Sequence, residues 1–274
     1  MKYSVLMSVY KNDSPEFLQL ALESIYEKQT RKPDEIVVVF DGPLTDELYQ
    51  VLDDFSSEKE DIVKFLPQKV NRGLGEALRI GSLACSGDYI FRMDSDDISD
   101  SERFANQMAY LSAHPEVDVL GTDIEEFNIS LDESMRVRSC PTEHKDIVKM
   151  AKIRNPINHV SACIKREALT KCGGYETLLL LEDYYLWLKM IVADCKLSNL
   201  HKSLVYVRIG NGFDTKRSSK QRIIGWRTLQ QYMLGHGLIT ETEAFINMLN
   251  IHAFVRTPPV VKRWIYSTIL RKKR

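Results

Sequence analysis

A strand buried on both faces is predicted by the run Glu35-Ile36-Val37-Val38-Val39-Phe40, in which four consecutive residues are β-branched. Continuous apolar runs of this kind are typical of parallel sheets, because helices cover both faces of such a sheet. Asp41-Gly42 follows directly and ends the strand with turn-forming residues. The run therefore predicts a central parallel strand with a polar group at its carboxyl end.

Strand-like and helix-like segments alternate on both sides of this run. Tyr3 to Val9 is predicted to form the first strand, and Ser14-Pro15-Glu16 has the cap, the proline and the acidic residue of a helix start. Further strands are predicted at 62–66 and 89–93, each preceded by a helix. This alternation predicts an α/β fold with a doubly wound, mostly parallel sheet.

The second half of the chain has a less regular pattern. Its apolar runs predict strands at 117–121, 160–164 and 203–208. A helix is predicted at 142–152, an aromatic helix begins at Glu182-Asp183, and two helices complete the chain.

Three carboxylates follow the strand predicted at 89–93, in the run Asp94-Ser95-Asp96-Asp97. Asp94 and Asp96 are two residues apart, so both side chains point to the same side of an extended strand end. Two hard oxygen ligands suit Mg²⁺ or Mn²⁺, with water or a substrate phosphate completing the coordination. An acidic turn that caps the next helix is the alternative interpretation of the same residues.

Three segments with polar residues fall at the carboxyl ends of predicted strands: Ser8-Val9-Tyr10, Asp41-Gly42 and Asp94-Ser95-Asp96. Ligands of doubly wound sheets bind beyond these ends, so the three segments are expected to line one crevice. Gly73-Leu74-Gly75 lacks the third glycine of a dinucleotide fingerprint, because Leu78 stands in its place. No phosphate-binding P-loop sequence occurs either, which argues against a dehydrogenase or a P-loop enzyme.

The bulk properties are those of a globular protein. The chain has 274 residues, of which 44% are apolar and 27% are charged, enough for one large domain with a small appendage. It has no run of 18 apolar residues and no signal-peptide pattern. Its five cysteines are scattered and never spaced Cys-x-x-Cys, which predicts free thiols in a cytoplasmic protein.

The C-terminal segment 252–274 is strongly basic, with seven Lys or Arg residues and no Asp or Glu. The rest of the chain is acidic, with 30 Lys and Arg residues against 38 Asp and Glu residues, which disfavours nucleic acid as a partner. Aromatic and aliphatic residues lie between the basic ones, so the segment is predicted to bind the anionic inner face of the plasma membrane. A solvated basic helix end is the alternative.

Five motifs in order resemble family 2 glycosyltransferases of the GT-A fold between residue 3 and about residue 190. They are Ser8-Val9-Tyr10, Asp41-Gly42, Asn71-Arg72-Gly73-Leu74-Gly75, Asp94-Ser95-Asp96 and Glu182-Asp183. The segments 155–159 (Asn-Pro-Ile-Asn-His) and 183–187 (Asp-Tyr-Tyr-Leu-Trp) are similar to those of enzymes that build bacterial polysaccharide repeat units, such as amylovoran-type and O-antigen transferases.

The resemblance implies a GT-A domain over 1–215. The basic, aromatic composition of the C-terminus predicts a helical, membrane-associating extension over 216–274. Residues 1–100 would form the Rossmann-like nucleotide-sugar half and 101–215 the acceptor half. The implied reaction transfers a hexose, with inversion, from a UDP-sugar to a lipid-linked (polyprenyl diphosphate) saccharide.

The resemblance also implies roles for single residues on the donor side. Asp96, with Asp94, would hold Mn²⁺ or Mg²⁺ against the diphosphate, and Asp41 would accept a hydrogen bond from the uracil N–H. Arg208 or Arg217 would add a cation at the leaving group. The residues expected to contact the nucleotide sugar are Ser8, Val9, Tyr10, Asp41, Asn71, Gly73, Asp94, Ser95, Arg208 and Arg217.

On the acceptor side, Asp183 is expected to be the catalytic base, with Glu182 beside it; the alternative is that both only favour a helix N-terminus. His159 is assigned to acceptor contact or structural support, with metal ligation as the alternative. Trp187 is expected to line the acceptor groove unless it belongs to the core. A non-catalytic nucleotide-sugar-binding subunit or sensor is the competing interpretation of the whole chain.

Overall fold

The computed structural model describes residues 1–128, 136–178, 180–209 and 220–257. The strands are β1 (Tyr3–Val9), β2 (Glu35–Phe40), β3 (Val63–Pro67), β4 (Tyr89–Met93), β5 (Ile98–Ser99), β6 (Val119–Phe127), β7 (Arg136–Arg138), β8 (Cys163–Lys165) and β9 (Leu197–Arg208). The helices are α1 (Pro15–Ile25), α2 (Asp46–Ser56), α3 (Leu74–Ala84), α4 (Arg103–Ala113), α5 (His144–Ala151), α6 (Arg166–Lys171), α7 (Glu182–Val192), α8 (Lys220–Gly235) and α9 (Glu241–Arg256).

These strands form one sheet in the order β3-β2-β1-β4-β8-β6-β9-β5, with β7 paired to β6. The first four strands are mutually parallel, as predicted, and β6 is parallel to β9. In the second half β8 runs antiparallel to both β4 and β6. The α/β fold is confirmed, and its sheet is parallel in the first half and mixed in the second.

Helices cover both faces of the sheet and enclose two apolar cores. Alternate residues of each central strand belong to different cores: Leu6 and Val37 face one, and Val5 and Val38 face the other. Trp226 of α8 is buried in the same core as Leu6, so the C-terminal helices pack on the sheet domain. The predicted boundary at 215/216 lies outside the described residues.

Three strand predictions differ from the structure by more than one residue at a bound. The strand expected at 117–121 is β6 (Val119–Phe127), which continues six residues past the predicted end. The expected strand at 160–164 begins later, because His159–Ser161 forms a 3₁₀ turn before β8. β9 begins at Leu197, six residues before the predicted start, although its first half is polar. Asn199 and Ser198 donate side-chain hydrogen bonds to the carbonyls of Pro141 (2.7 Å) and Thr142 (2.9 Å), which satisfies these polar groups inside a strand.

The five cysteines are free, and four of them are buried. Within the described ranges, no helix combines the length and the apolar character that a bilayer span requires.

Candidate active site

Three predicted polar segments meet at one edge of the sheet. Val9 pairs with Phe40, and Met7 pairs with Met93, so β1, β2 and β4 end close together. The residues that follow these ends are Tyr10, Asp41 and Asp94. The three predicted segments therefore lie at one edge of the sheet.

Asp41 ties the end of β2 to the loop that begins α3. Its buried carboxylate accepts hydrogen bonds from the backbone N–H of Arg72 (2.7 Å) and of Gly73 (2.9 Å). Gly42 has φ +89°, and a Cβ on it would lie 2.7 Å from the Asn71 nitrogen. Glycine is therefore required at position 42, where the loop at Asn71 contacts the end of β2. The contact of Asp41 with uracil stays a prediction.

Ser95 and Asp13 join the carboxylate cluster to the loop after β1. The Ser95 hydroxyl donates to Asp13 Oδ2 at 2.7 Å, and the Tyr10 N–H donates to the same oxygen at 3.0 Å. No local pattern predicted the role of Asp13, because its contact with Ser95 spans 82 residues. The structure thereby brings Tyr10 and Ser95, both predicted to contact the nucleotide, to one place.

The cluster after β4 carries an excess of negative charge. Loss of solvation and the nearby carboxylates of Asp94 and Asp13 raise the pKa of Asp96 to about 6. Burial and the charges of Asp94 and Asp96 raise the pKa of Asp97 well above its ordinary value. In both groups the charge of Arg92 offsets only part of the upward pKa shift that loss of solvation and the neighbouring carboxylates cause.

A divalent cation fits this cluster. Asp96 is exposed, and Asp94 is partly exposed with one oxygen outside its ion pair. Among the residues that the structure describes, no three His, Cys, Asp or Glu side chains gather as a complete ligand set. This matches the usual mode of Mg²⁺ and Mn²⁺, which take one or two protein carboxylates and complete their shell with phosphates and water.

Arg208, the last residue of β9, lies beside the same cluster. Its backbone N–H donates to Asp97 Oδ1 (2.8 Å), and its Nε donates to the Asp96 carbonyl (3.2 Å). Its guanidinium carbon lies 3.8 Å from the ring centroid of Phe17 and 4.6 Å from that of Phe127. A cation is therefore held at the donor side of the crevice. Arg217 lies outside the described residues.

Asp183 and Glu182 begin α7 on the acceptor side. Asp183 Oδ2 accepts from Asn155 Nδ2 at 2.6 Å, and its Oδ1 accepts from the Tyr184 N–H at 2.7 Å. Burial raises the pKa of Asp183 despite these bonds, and burial also raises the pKa of Glu182. Two half-buried carboxyls with raised pKa values, one of them oriented by an amide, can exchange protons with a ligand.

The donor motif and this acidic pair are adjacent. A Cβ on Gly75 would lie 3.2 Å from the Thr177 Cα and 3.5 Å from the Glu182 Cβ. The first turn of α3 therefore packs directly against the start of α7, which brings Glu182 close to the loop that Asp41 holds.

His159 and Trp187 have different environments. His159 Nε2 lies 3.0 Å from the Tyr175 hydroxyl, and burial together with the charge of Arg92 holds the pKa of His159 well below its usual range. The imidazole is therefore neutral at physiological pH. Trp187 is fully buried behind it, with ring centroids 6.0 Å apart, so in this conformation its side chain has no surface to offer an acceptor.

Comparison with known proteins identifies the family. The model of glycosyl transferase family 2 matches residues 4–173. The chain belongs to this family. An uncharacterized glycosyltransferase of Haemophilus influenzae is 39% identical over 275 residues, covering 99% of this chain and 100% of that protein.

Two family 2 relatives have more specific names. The UDP-Gal:alpha-D-GlcNAc-diphosphoundecaprenol beta-1,3-galactosyltransferase of Escherichia coli is 33% identical over 272 residues, covering 99% of this chain and 97% of that protein. The amylovoran biosynthesis glycosyltransferase AmsE of Erwinia amylovora is 36% identical over 215 residues, covering 78% of this chain and 79% of that protein.

Among solved structures, that of S. aureus TarS 1–349 with UDP-GlcNAc matches with a TM-score of 0.69 at 18% identity, covering 92% of this chain and 72% of that one. This likeness confirms the predicted GT-A fold.

Arg92 lies between the two acidic groups of this family 2 chain. It is 2% exposed and forms an ion pair with Asp94, while its Nε and Nη1 have no hydrogen-bond partner among the described residues. Burial favours a lower pKa for Arg92, but the ion pair with the Asp94 carboxylate has the larger effect, so the pKa of Arg92 is raised overall. The positive charge of Arg92 also offsets part of the upward pKa shifts of Asp96, Glu182 and Asp183.

Sequence reasoning missed Arg92. The available signal was a single arginine inside the otherwise apolar strand Tyr89-Ile90-Phe91-Arg92-Met93, because a charged residue is rarely buried there without a partner.

We expect Arg92→Met to lower the free energy of unfolding by about 3–5 kcal/mol, because it removes the counter-charge of a buried acidic cluster. Arg79→Met is the control, since it breaks only the exposed ion pair with Glu76 and should cost within about 1 kcal/mol. Urea denaturation at pH 7 measures both. Equal losses in the two variants would show that Arg92 does not balance the cluster.

Proposed function

We propose that this chain is an inverting, metal-dependent transferase that moves a hexose from a UDP-sugar to a lipid-linked (polyprenyl diphosphate) saccharide during bacterial surface polysaccharide synthesis. Two observations at the site support the proposal together. The carboxylate cluster around Asp96 is suited to bind a cation, and Asp183 is oriented by a hydrogen bond from Asn155. The full-length similarity to the E. coli enzyme, whose name specifies UDP-Gal and a diphosphoundecaprenol acceptor, supports the donor and acceptor classes.

On the donor side, the chain binds the nucleotide and sets its orientation. Asp41 and Gly42 fix the loop at Asn71 against the end of β2, which shapes the edge where the uracil binds. Asp96 and the free oxygen of Asp94 would hold Mn²⁺ or Mg²⁺, which when bound neutralises charge on the diphosphate. Arg208 adds a fixed cation for the departing UDP.

On the acceptor side, Asp183 takes a proton. An acceptor hydroxyl attacks the anomeric carbon from the face opposite UDP, the bond from that carbon to the UDP oxygen breaks, and the hydroxyl proton passes to Asp183. Attack from the opposite face inverts the anomeric configuration. Asn155 and the Tyr184 N–H orient the carboxylate and leave it lone pairs for this proton.

UDP binding tests the donor site. We expect calorimetry to give UDP affinity that rises when Mn²⁺ is added, because the carboxylate cluster needs the cation to accept a diphosphate. Asp96→Ala should abolish the increase in UDP affinity that Mn²⁺ causes. Asp146→Ala, on the exposed face of α5, should leave that increase unchanged. A wild-type protein that binds no UDP in either condition would contradict the proposal.

Asp183→Asn tests the base. We expect sugar transfer to fall by at least 10²-fold with UDP affinity near wild type, because the amide keeps the shape but cannot take the proton. Asp183 works only when ionised, so kcat/KM of the wild type should decline as pH falls through its pKa. That decline should lie above pH 3.8, the ordinary pKa value, because burial raises the pKa.

Asn155→Leu sharpens this test. The Asn155 hydrogen bond favours the ionised carboxylate, so its loss should move the acid decline of kcat/KM to higher pH. Full activity of Asp183→Asn, or a decline that stays in place in Asn155→Leu, would remove Asp183 from the role.

We also propose that the basic C-terminus attaches the enzyme to the inner face of the plasma membrane. Residues 258–274, outside the described ranges, carry six of the seven cations, whereas Ile251 of α9 is buried in the core. Deletion of 258–274, which spares α9, should move the protein from the membrane to the soluble fraction in flotation with anionic vesicles. An unchanged distribution would contradict the attachment.

A further inference from the structure

Two arginines flank the loop that holds the proposed base. Arg154 directly precedes Asn155, whose side chain donates to Asp183 at 2.6 Å. Arg138 is the last residue of β7, and its carbonyl accepts from Asn158 Nδ2 of the same loop at 3.2 Å. Both arginines are therefore anchored to the segment 154–158, which lies beside Asp183.

These two side chains are close enough for their charges to interact. Burial and the charge of Arg138 lower the pKa of Arg154, and the charge of Arg138 also lowers the pKa of Asp183. Both arginines are half-buried, and within the described ranges neither forms an ion pair with a carboxylate. Arg154 Nε makes its one described contact with the Met150 sulfur, at 3.4 Å.

Two like charges held together without an ion-pair contact to a carboxylate raise the free energy of the folded protein. Other arginines at the crevice are balanced by oxygen atoms: Arg92 pairs with Asp94, and Arg208 donates to the Asp96 carbonyl. Arg138 and Arg154 differ from them in this respect. A bound anion would supply the missing negative charge.

We propose that Arg138 and Arg154 bind the diphosphate of the lipid-linked acceptor. This inference rests on the proposed function. The attacking hydroxyl must lie at Asp183, and in an acceptor with a single sugar the diphosphate is attached to the other side of that same ring. Arginines anchored to the loop that holds the base are suited to bind this diphosphate, because each planar guanidinium presents paired N–H donors that match phosphate oxygens.

The charge distribution of the crevice separates the two diphosphates. The donor diphosphate is assigned to the side with Asp94 and Asp96, where a metal ion makes its binding possible. Without that metal the same carboxylates repel phosphate, so the acceptor diphosphate is directed to the arginine side. The two substrates thus meet in one orientation, with the hydroxyl between Asp183 and the donor sugar.

Calorimetry on the full chain saturated with UDP tests the site. The probe is N-acetylglucosamine diphosphate on a short polyprenyl chain, and the comparison ligand is the neutral alkyl glycoside of the same sugar. UDP saturation blocks the donor site, so the heat measured reports a second diphosphate. We expect the probe to bind more tightly than the neutral glycoside.

Arg138→Gln and Arg154→Gln should each weaken probe binding by about 10- to 100-fold, the usual effect of losing a charge-assisted hydrogen bond. Arg138→Lys and Arg154→Lys should lie between these variants and the wild type, because they keep the charge and lose the planar donors. Arg227→Gln is the matched control, since Arg227 is exposed on α8 and should leave probe affinity unchanged.

Retention of UDP affinity establishes that each variant is folded. Probe binding that is equal in wild type and both Gln variants, or no stronger than that of the neutral glycoside, would overturn the site. Because binding is measured without transfer, this result is separate from the proposed function. A protein that binds the probe through both arginines but transfers no sugar would retain the diphosphate site and lose the enzymatic assignment.

Discussion

The buried cation of Arg92 is the constraint on which the crevice depends. Carboxylates gather there from the turn after β4 and from the start of α7, and their mutual repulsion would open the site if no positive charge lay between them. A side chain that is 2% exposed and ion-paired to Asp94 supplies that charge from within the sheet. Because its Nε and Nη1 are unpartnered among the described residues, it keeps capacity for further hydrogen bonds.

Backbone geometry brings the remaining groups to this charge. The parallel register of β1, β2 and β4 delivers Tyr10, Asp41 and Asp94 to one edge. Asp41 then fixes the loop at Arg72 and Gly73, from which α3 begins and runs past Glu182. The end of β2 and the start of α7 are therefore connected through the first turn of α3.

Sequence reasoning located those parts of the site that follow from strand direction. Asp41 and Asp96 were predictable, because parallel strands must end at a common edge and both residues follow such ends. Asn155 and Asp13 were not, since their contacts with Asp183 and Ser95 span 28 and 82 residues and leave no local pattern. Trp187 was ambiguous for a related reason: helical periodicity does not distinguish a core aromatic from one that lines a groove.

The reversed direction of β8 has a consequence for how such enzymes diversify. Because β8 is antiparallel to β4, the segment before β8 lies at the same rim as the segment after β4. The rim is thus built from two unlike sets of loops, one leaving parallel strands and carrying Asp41 and Asp96, the other leading into antiparallel strands and carrying Asn155 and His159. The two sets belong to different segments of the chain, so substitutions in the second set can change one side of the rim while the backbone of the first set stays the same.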